Sequence, residues 1–380
     1  MVYNGLGRIS GSVSRFGMGC MRLPRKTDEQ GRDVIDEAES VRMIRHAIDE
    51  GVNYFDTAYA YPGSEEVLGR ALKGGYRDKV MIATKCPMGE IKDFGDYQRI
   101  LDESLRRLDT DYIDVYLFHC MDRKGWEKVK ATNGIAFMEE MKKRGKIRAI
   151  GFSFHAEFDL FTEILDARQW DICLIQLNIL DAEHQAGVKG LRYAGQKGVP
   201  VVIMEPLKGG LLGGKPPEEV TELLGRYHEK RSLVEWSFRW LYNQPEVKVV
   251  LSGVSSMDQL RDNIRIFSEA GTDVMSPSDD ELIKEIRDIF HSKVRVGCTG
   301  CSYCMPCRYG VNIPEIFKIY NDSAFSAWTE FGKVFYDLVA VSNGRDASKC
   351  TGCRACEKRC PQGLPIADLL REAHEAMRSN

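Results

Sequence analysis

The sequence predicts an α/β protein: a (β/α)8 TIM barrel over residues 1–290, followed by a small, mainly α-helical, cysteine-rich domain over residues 291–380. Three observations predict it. Strand-like and helix-like segments alternate eight times in fewer than 300 residues, the pattern of a closed parallel sheet with helical crossovers. No G-x-G-x-x-G follows the first strand-like run, which counts against a doubly wound sheet. Of the twelve cysteines, only Cys20, Cys86, Cys120 and Cys173 are scattered; the other eight form two tight runs after residue 297.

In chain order, β-rich runs of strand length occur at Arg15–Leu23, Asn53–Asp56, Val80–Lys85, Tyr112–His119, Ile147–Ser153, Ile172–Asn178, Val199–Glu205 and Lys248–Val254. Helical patterns lie between them, at Glu39–Glu50, Glu65–Leu72, Arg99–Leu108, Ile135–Arg144, Phe158–Ala167, Ala186–Lys197, Ser232–Tyr242 and Asp258–Phe267. Gly51, Gly145 and Gly198 mark helix exits. A further helix over Asp279–Val294 is expected to pack on the barrel and lead into the second domain. The stretch Asp322–Asp346 carries Phe325, Trp328, Phe331, Phe335 and Tyr336; it reads as a helix that packs the cysteine-rich domain against the barrel.

Composition excludes several function classes. Apolar residues make up 43% of the chain, ample for a large core. Lysine plus arginine (53) nearly balances aspartate plus glutamate (56), so neither nucleic acid nor an anionic membrane is expected as the main partner. The strongest apolar run, around Val199 to Pro206, is strand-sized and spans no bilayer. Met1–Gly5 has no basic region followed by an apolar stretch, so no secretory signal is expected. A cytoplasmic protein is the expectation, and in a reducing compartment clustered cysteines read as metal ligands rather than disulfides.

The first run is Cys298-x2-Cys301-x2-Cys304-x2-Cys307, and the second is Cys350-x2-Cys353-x2-Cys356-x3-Cys360 followed by Pro361. The second is similar to the bacterial ferredoxin run in every spacing. Two-residue gaps let a tight loop wrap three thiolates around one cubane face, and backbone N–H groups in the loop offset the cluster's negative charge. Structural zinc sites instead use paired C-x2-C elements. Two [4Fe–4S] clusters are therefore expected. The likeness to two-cluster ferredoxins implies crossed ligation: Cys298, Cys301, Cys304 and Cys360 for one cluster, and Cys350, Cys353, Cys356 and Cys307 for the other. The first run departs from that pattern in its last gap and in the Arg308 that follows it.

Active sites of such barrels sit where the strands end. Asp56 ends the second strand, Tyr61 follows in its loop, Lys85 ends the third and His119 ends the fourth. In these four residues the chain resembles the aldo-keto reductases, which carry an Asp, Tyr, Lys, His tetrad at these places. The likeness covers nearly all of residues 10–270, and the cysteine-rich tail resembles a bacterial and archaeal branch of that family. The resemblance implies that Tyr61 gives a proton to a carbonyl oxygen as hydride reaches the carbon. A free tyrosine has a pKa of about 10, too high for efficient exchange near neutrality; Lys85 is expected to favour the phenolate, Asp56 to hold Lys85, and His119 to orient the substrate oxygen.

The same resemblance implies a nicotinamide groove for NADP or NAD. Ser153 and Gln176 stand where the family contacts the nicotinamide amide. Met204, before Glu205, Pro206 and Leu207, stands where many relatives stack an aromatic ring. Lys208 and Gly210, in Lys208-Gly209-Gly210, offer a cation and flexible backbone to a diphosphate. Gly253, Ser255, Gln259 and Asn263 follow the eighth strand, where a helix N-terminus can receive phosphate. Many relatives place Lys or Arg there for a 2′-phosphate, whereas this chain has Gly253 and Gln259.

Two functions follow from these residues. One is an oxidoreductase that reduces a small-molecule carbonyl (or oxidises an alcohol) with NAD(P)H, its clusters serving structure or electron transfer. The other is an iron–sulfur electron-transfer or redox-sensing subunit, whose barrel binds a cofactor without turnover and whose partner is a ferredoxin-like carrier. A hydride carries two electrons and a [4Fe–4S] cluster takes one, a step that a flavin normally bridges. The sequence has no separate flavin fingerprint.

Overall fold

The computed structural model describes residues 1–269, 271–272, 275–324, 333 and 336–378. The chain divides into two compact units: Met1–Pro206 with Phe238–Val274, and Leu207–Ser237 with Met275–Asn380.

The first unit holds the barrel. Its eight strands are β1 (Phe16–Gly19), β2 (Tyr54–Asp56), β3 (Met81–Pro87), β4 (Ile113–Met121), β5 (Ile147–Phe154), β6 (Ile172–Gln176), β7 (Val201–Met204) and β8 (Val247–Ser252). They close in chain order, with β8 pairing back onto β1 in parallel. Tyr54, Ala83, Val115, Leu117, Ala149, Ile172, Leu174, Val202, Val249 and Leu251 fill the interior. Gly151 sits where strands crowd: a Cβ there would stand 2.4 Å from the Ile172 carbonyl oxygen.

An antiparallel hairpin, Tyr3–Leu6 with Ile9–Ser14, precedes β1 and was not expected from the sequence. Its Leu6 and Val13 join the interior cluster. Ser14 and Asn53 exchange bonds across it, Ser14 N–H to Asn53 Oδ1 at 2.7 Å and Asn53 N–H to Ser14 Oγ at 3.0 Å. Asn53 immediately precedes β2, so the hairpin closes the N-terminal end of the barrel and leaves the other end for chemistry.

Strand ends differ from expectation for local reasons. The first strand stops at Gly19, and Cys20–Arg22 make a 3₁₀ turn before Leu23; Pro24 keeps Leu23 extended. β6 stops at Gln176 because the Asn178 Oδ1 accepts the N–H groups of Leu180 and Asp181 and bends the chain. β7 stops at Met204 because Glu205 is left-handed (φ 54°). β4 runs past His119 to Met121, with a bulge at the left-handed Cys120 (φ 52°). The short helices Arg123–Ala131 and Glu218–Arg226 were also not expected; the first is started by the Asp122 side chain, which accepts from Gly125 N–H at 2.7 Å.

The second unit has its own core, built from Val296, Val311, Ile316, Phe317, Tyr320, Leu370, Ala373 and Met377 among others. Helix Pro277–Lys293 opens on a capping box between Ser276 and Asp279, and Lys293 pairs with Glu219 at 2.6 Å. Helices Ile313–Asp322 and Ile366–Met377 pack on one another. Of the aromatic stretch, Phe325, Trp328, Phe331 and Phe335 lie outside the described residues. Tyr336 is fully buried, its hydroxyl 2.8 Å from His374 Nδ1 and accepting from Ala347 N–H at 3.1 Å. Among the described residues no helix is long and apolar enough to cross a membrane.

Candidate active site and cluster-binding loops

The C-terminal ends of β2, β3 and β4 bring four side chains into one corner. Lys85 is 1% exposed and donates from Nζ to Asp56 Oδ1 at 2.5 Å and to the Thr57 carbonyl at 2.7 Å. Tyr61 sits in the turn after β2, fixed by its N–H to the Ala58 carbonyl (2.9 Å) and by Ser64 N–H to its own carbonyl (3.1 Å). The Lys85 Nζ lies 5.1 Å from the centre of the Tyr61 ring. The His119 ring meets Tyr61 edge-on, with centroids 5.9 Å apart.

The electrostatics of this corner follow from burial and from the pair. Burial alone would pull the Lys85 pKa down, but the charges of Asp56 and Tyr61 outweigh it and hold the ammonium above its ordinary value. Burial first, then the Lys85 charge and His155, keeps His119 well below the ordinary histidine range, so its ring is neutral. The Asp56 Oδ2 is buried with no hydrogen-bond partner. A carboxylate oxygen in that state would accept from a ribose hydroxyl, so this corner fits a nicotinamide nucleoside.

The expected groove residues fall as follows. Ser153 and Gln176 are both 1% exposed at the ends of β5 and β6. Ser153 Oγ accepts from Cys120 N–H at 2.8 Å, and Gln176 donates to Asp181 Oδ2 at 3.0 Å. Met204 is half-buried at the end of β7, and Pro206 is buried. Gly253, Ser255 and Gln259 are exposed after β8, where Ser255 N–H donates to Gln259 Oε1 at 2.9 Å. Ser256 caps the next helix, Met257–Ser268, by accepting from Gln259 N–H. Asn263 is buried and donates to Ser252 Oγ at 2.9 Å, tying that helix to β8. Leu207, Lys208 and Gly210 belong to the second unit, in a loop whose Lys208, Gly209 and Gly210 are all left-handed.

Three further groups escape a reading of the sequence. Asn178 bonds Asp181 and the Glu205 carbonyl, joining the exits of β6 and β7; only its place at a strand end signalled it. His155 follows β5, its Nδ1 is buried without a partner, and burial pushes its pKa down to about 4. The Arg22 stem lies 3.3–3.5 Å from where a Cβ on Gly253 would stand. The exit of β1 thus brings a cation to the exit of β8.

In the second unit, Cys298, Cys301, Cys304 and Cys360 line one cavity with Ile313, Phe317, Leu364 and Ile366. Gly300 N–H donates to Cys298 Sγ at 3.4 Å. Burial, then the charges of Cys301, Cys298 and Cys360, pushes the Cys304 thiol up to about 12. Four thiols in an apolar cavity with an inward backbone N–H fit an iron–sulfur cluster. Arg359, beside Cys360, donates to the carbonyls of Tyr303 (2.6 Å) and Met305 and so fastens the second run to the first loop. Cys307, Cys350 and Cys356 pack at the edge of the same core, and Cys353 is exposed.

A parallel barrel with a lysine–aspartate pair, a tyrosine and a neutral histidine at its strand ends defines a class of oxidoreductase. The chain belongs to the aldo/keto reductase family, whose model matches residues 15–283. A 4Fe-4S dicluster domain matches residues 297–364. The chain is 30% identical over 302 residues to aldo-keto reductase YhdN of Bacillus subtilis, covering 68% of this chain and 87% of that one. It is 25% identical to the NADH-specific methylglyoxal reductase of Escherichia coli, covering 74% and 97%. Aldo-keto reductase AKR11C1 from Bacillus halodurans, in its holo form, is similar at a TM-score of 0.62 and 28% identity, over 75% of this chain and 96% of that one.

Proposed function

We propose that this chain reduces a small-molecule carbonyl compound with NADH or NADPH, and that its tail carries two [4Fe–4S] clusters. The observation that carries the reading is the buried Lys85–Asp56 pair beside the Tyr61 ring. When bound, a nicotinamide supplies hydride to the carbonyl carbon. Tyr61 gives its hydroxyl proton to the carbonyl oxygen, and the Lys85 ammonium stabilises the phenolate left behind. Asp56 keeps that ammonium charged where burial alone would discharge it. His119 is neutral, so it orients the oxygen by a hydrogen bond without repelling Lys85.

A dinucleotide would be held by Ser153 and Gln176 at the carboxamide and by Met204 at the ring. Pro206, Leu207, Lys208 and Gly210 would serve the diphosphate, and Gly253, Ser255, Gln259 and Asn263 the adenosine end, with Arg22 as a cation beside Gly253. A methylglyoxal reductase among the relatives supports a small aldehyde or ketone as substrate. One cluster takes Cys298, Cys301, Cys304 and Cys360; the other takes Cys350, Cys353, Cys356 and Cys307. Thiolate ligands of this kind persist in a reducing compartment, which supports a cytoplasmic enzyme. Exchange with a ferredoxin-like carrier belongs to the competing electron-transfer reading.

The test is isotopic. Holoprotein purified without oxygen is given a small aldehyde and nicotinamide carrying deuterium at the transferred position. The proposal expects deuterium on the former carbonyl carbon of the alcohol. Label lost to solvent before product forms would replace direct transfer with a flavin or cluster route.

A further inference from the structure

The loop that follows β7 touches the loop that holds the first cysteines. Gly209 stands so close to Thr299 that a Cβ added to it would lie 1.9 Å from the Thr299 carbonyl oxygen, 2.5 Å from its carbon and 2.8 Å from its Cα. All three are backbone atoms, so no side chain can swing away to make room. Thr299 is 3% exposed and lies between Cys298 and Gly300, in the wall of the four-cysteine cavity.

The Gly209 loop is turned back on itself by left-handed backbone. Lys208 (φ 45°), Gly209 (66°) and Gly210 (101°) are consecutive left-handed residues, a conformation that glycine adopts freely and lysine disfavours. Its internal backbone bonds are Gly210 N–H and Leu212 N–H to the Leu207 carbonyl, at 3.0 and 3.2 Å, and Gly214 N–H to the Leu211 carbonyl at 3.4 Å. Lys208 is nevertheless 8% exposed and Leu212 fully buried. The Thr299 peptide lies against this loop as a backbone surface that cannot move aside by a side-chain rotation.

We infer that the Cys298–Cys304 loop positions the Lys208–Leu212 loop through Thr299 against Gly209, so that occupancy of the Cys298, Cys301, Cys304, Cys360 site sets the affinity for a dinucleotide diphosphate. This rests on the reading of Lys208 and Gly210 as diphosphate contacts. Thr299 and Gly209 are positioning residues. A cluster draws the Cys298 loop onto one geometry, and the direct backbone contact passes that geometry on. No electron has to cross between cluster and substrate for the two sites to be linked.

The test compares anaerobic holoprotein, the same protein stripped of clusters by oxidant and chelator, and Gly209→Ala with clusters in place. Amide hydrogen exchange over residues 207–214 and dissociation constants for NADH and NADPH are measured on each. The expected result is at least tenfold faster exchange in that loop and at least tenfold weaker nucleotide binding on stripping. Gly209→Ala should give the same two changes with its iron–sulfur absorption retained. Unchanged loop exchange in both altered forms overturns the inference. Faster exchange with unchanged nucleotide affinity overturns the diphosphate role of the loop and leaves the tetrad reading standing. Failure of the holoprotein to bind either nucleotide overturns the proposed function and this inference with it.

Discussion

Lys85 in the barrel and Cys304 in the tail are both buried ionisable groups, but they are satisfied in opposite ways. Lys85 lies between Asp56 and the Thr57 carbonyl, partners supplied by its own unit, and they hold its charge in place. Cys304 shares an apolar cavity with Cys301, Cys298 and Cys360, groups of its own kind, and burial first, then those three sulfurs, pushes its thiol up to about 12. The barrel corner thus holds the Lys85 charge with its own residues. The cysteine loop asks for a cation-bearing group to reconcile its sulfurs. A catalytic corner that is preorganised by the chain can keep its geometry across redox states, whereas a cluster-holding loop is ordered by what it binds.

That contrast can be broken from the barrel side with the largest effect. Asp56→Asn leaves the Lys85 ammonium buried without its counter-charge, which should cost about 3–5 kcal/mol. Chemical denaturation of the holoprotein measures it; a loss below about 1 kcal/mol would show that the pair is not the corner's anchor. The same variant should keep its iron–sulfur absorption.

A middle-sized effect comes from His155. Its folded pKa of about 4 lies below the ordinary 6.5. As pH falls through 6.5 the unfolded chain takes up a proton that the folded chain refuses until about 4, so stability drops across that window and levels off below it. His119 acts in the same direction. Melting temperatures from pH 7 to 4.5 should fall in the wild type and fall less in His155→Gln. Parallel curves would mean that the buried imidazole is not the cause.

The smallest effect on the barrel should come from the tail. Cys304→Ala removes one sulfur from the four-cysteine cavity, and iron should drop by about half, from near eight atoms per chain to near four. Among the described residues Cys304 belongs to the tail's own core and not to the barrel's interior cluster, so the barrel's unfolding free energy should move by less than about 1 kcal/mol, within the usual range for changes remote from a core. Zinc in place of iron in the wild type would sink the cluster assignment itself.

Much of this was legible in the sequence because it rests on local spacing. Asp56, Tyr61, Lys85 and His119 sit at or just beyond strand ends, and alternation of apolar runs locates those ends within a few residues. The cysteine spacings encode loop geometry directly. What stayed hidden depends on residues far apart in the chain meeting through backbone conformation. Arg359 reaching the Tyr303 carbonyl, the Arg22 stem over Gly253, and Gly209 against Thr299 leave no periodic trace. The strand ends at Gln176 and Met204 were set by the Asn178 turn and the left-handed Glu205, features of dihedral angle rather than of hydropathy.

The central claim is that turnover arises from the barrel tetrad acting on a carbonyl oxygen. Its most direct test is Tyr61→Phe, purified anaerobically with iron content and cluster absorption matched to wild type, assayed for aldehyde reduction with NADH and NADPH. The account predicts a loss of about 10²–10⁴-fold in kcat with little change in nucleotide affinity, the range for removing a general acid. Equal kcat in the two proteins would contradict it.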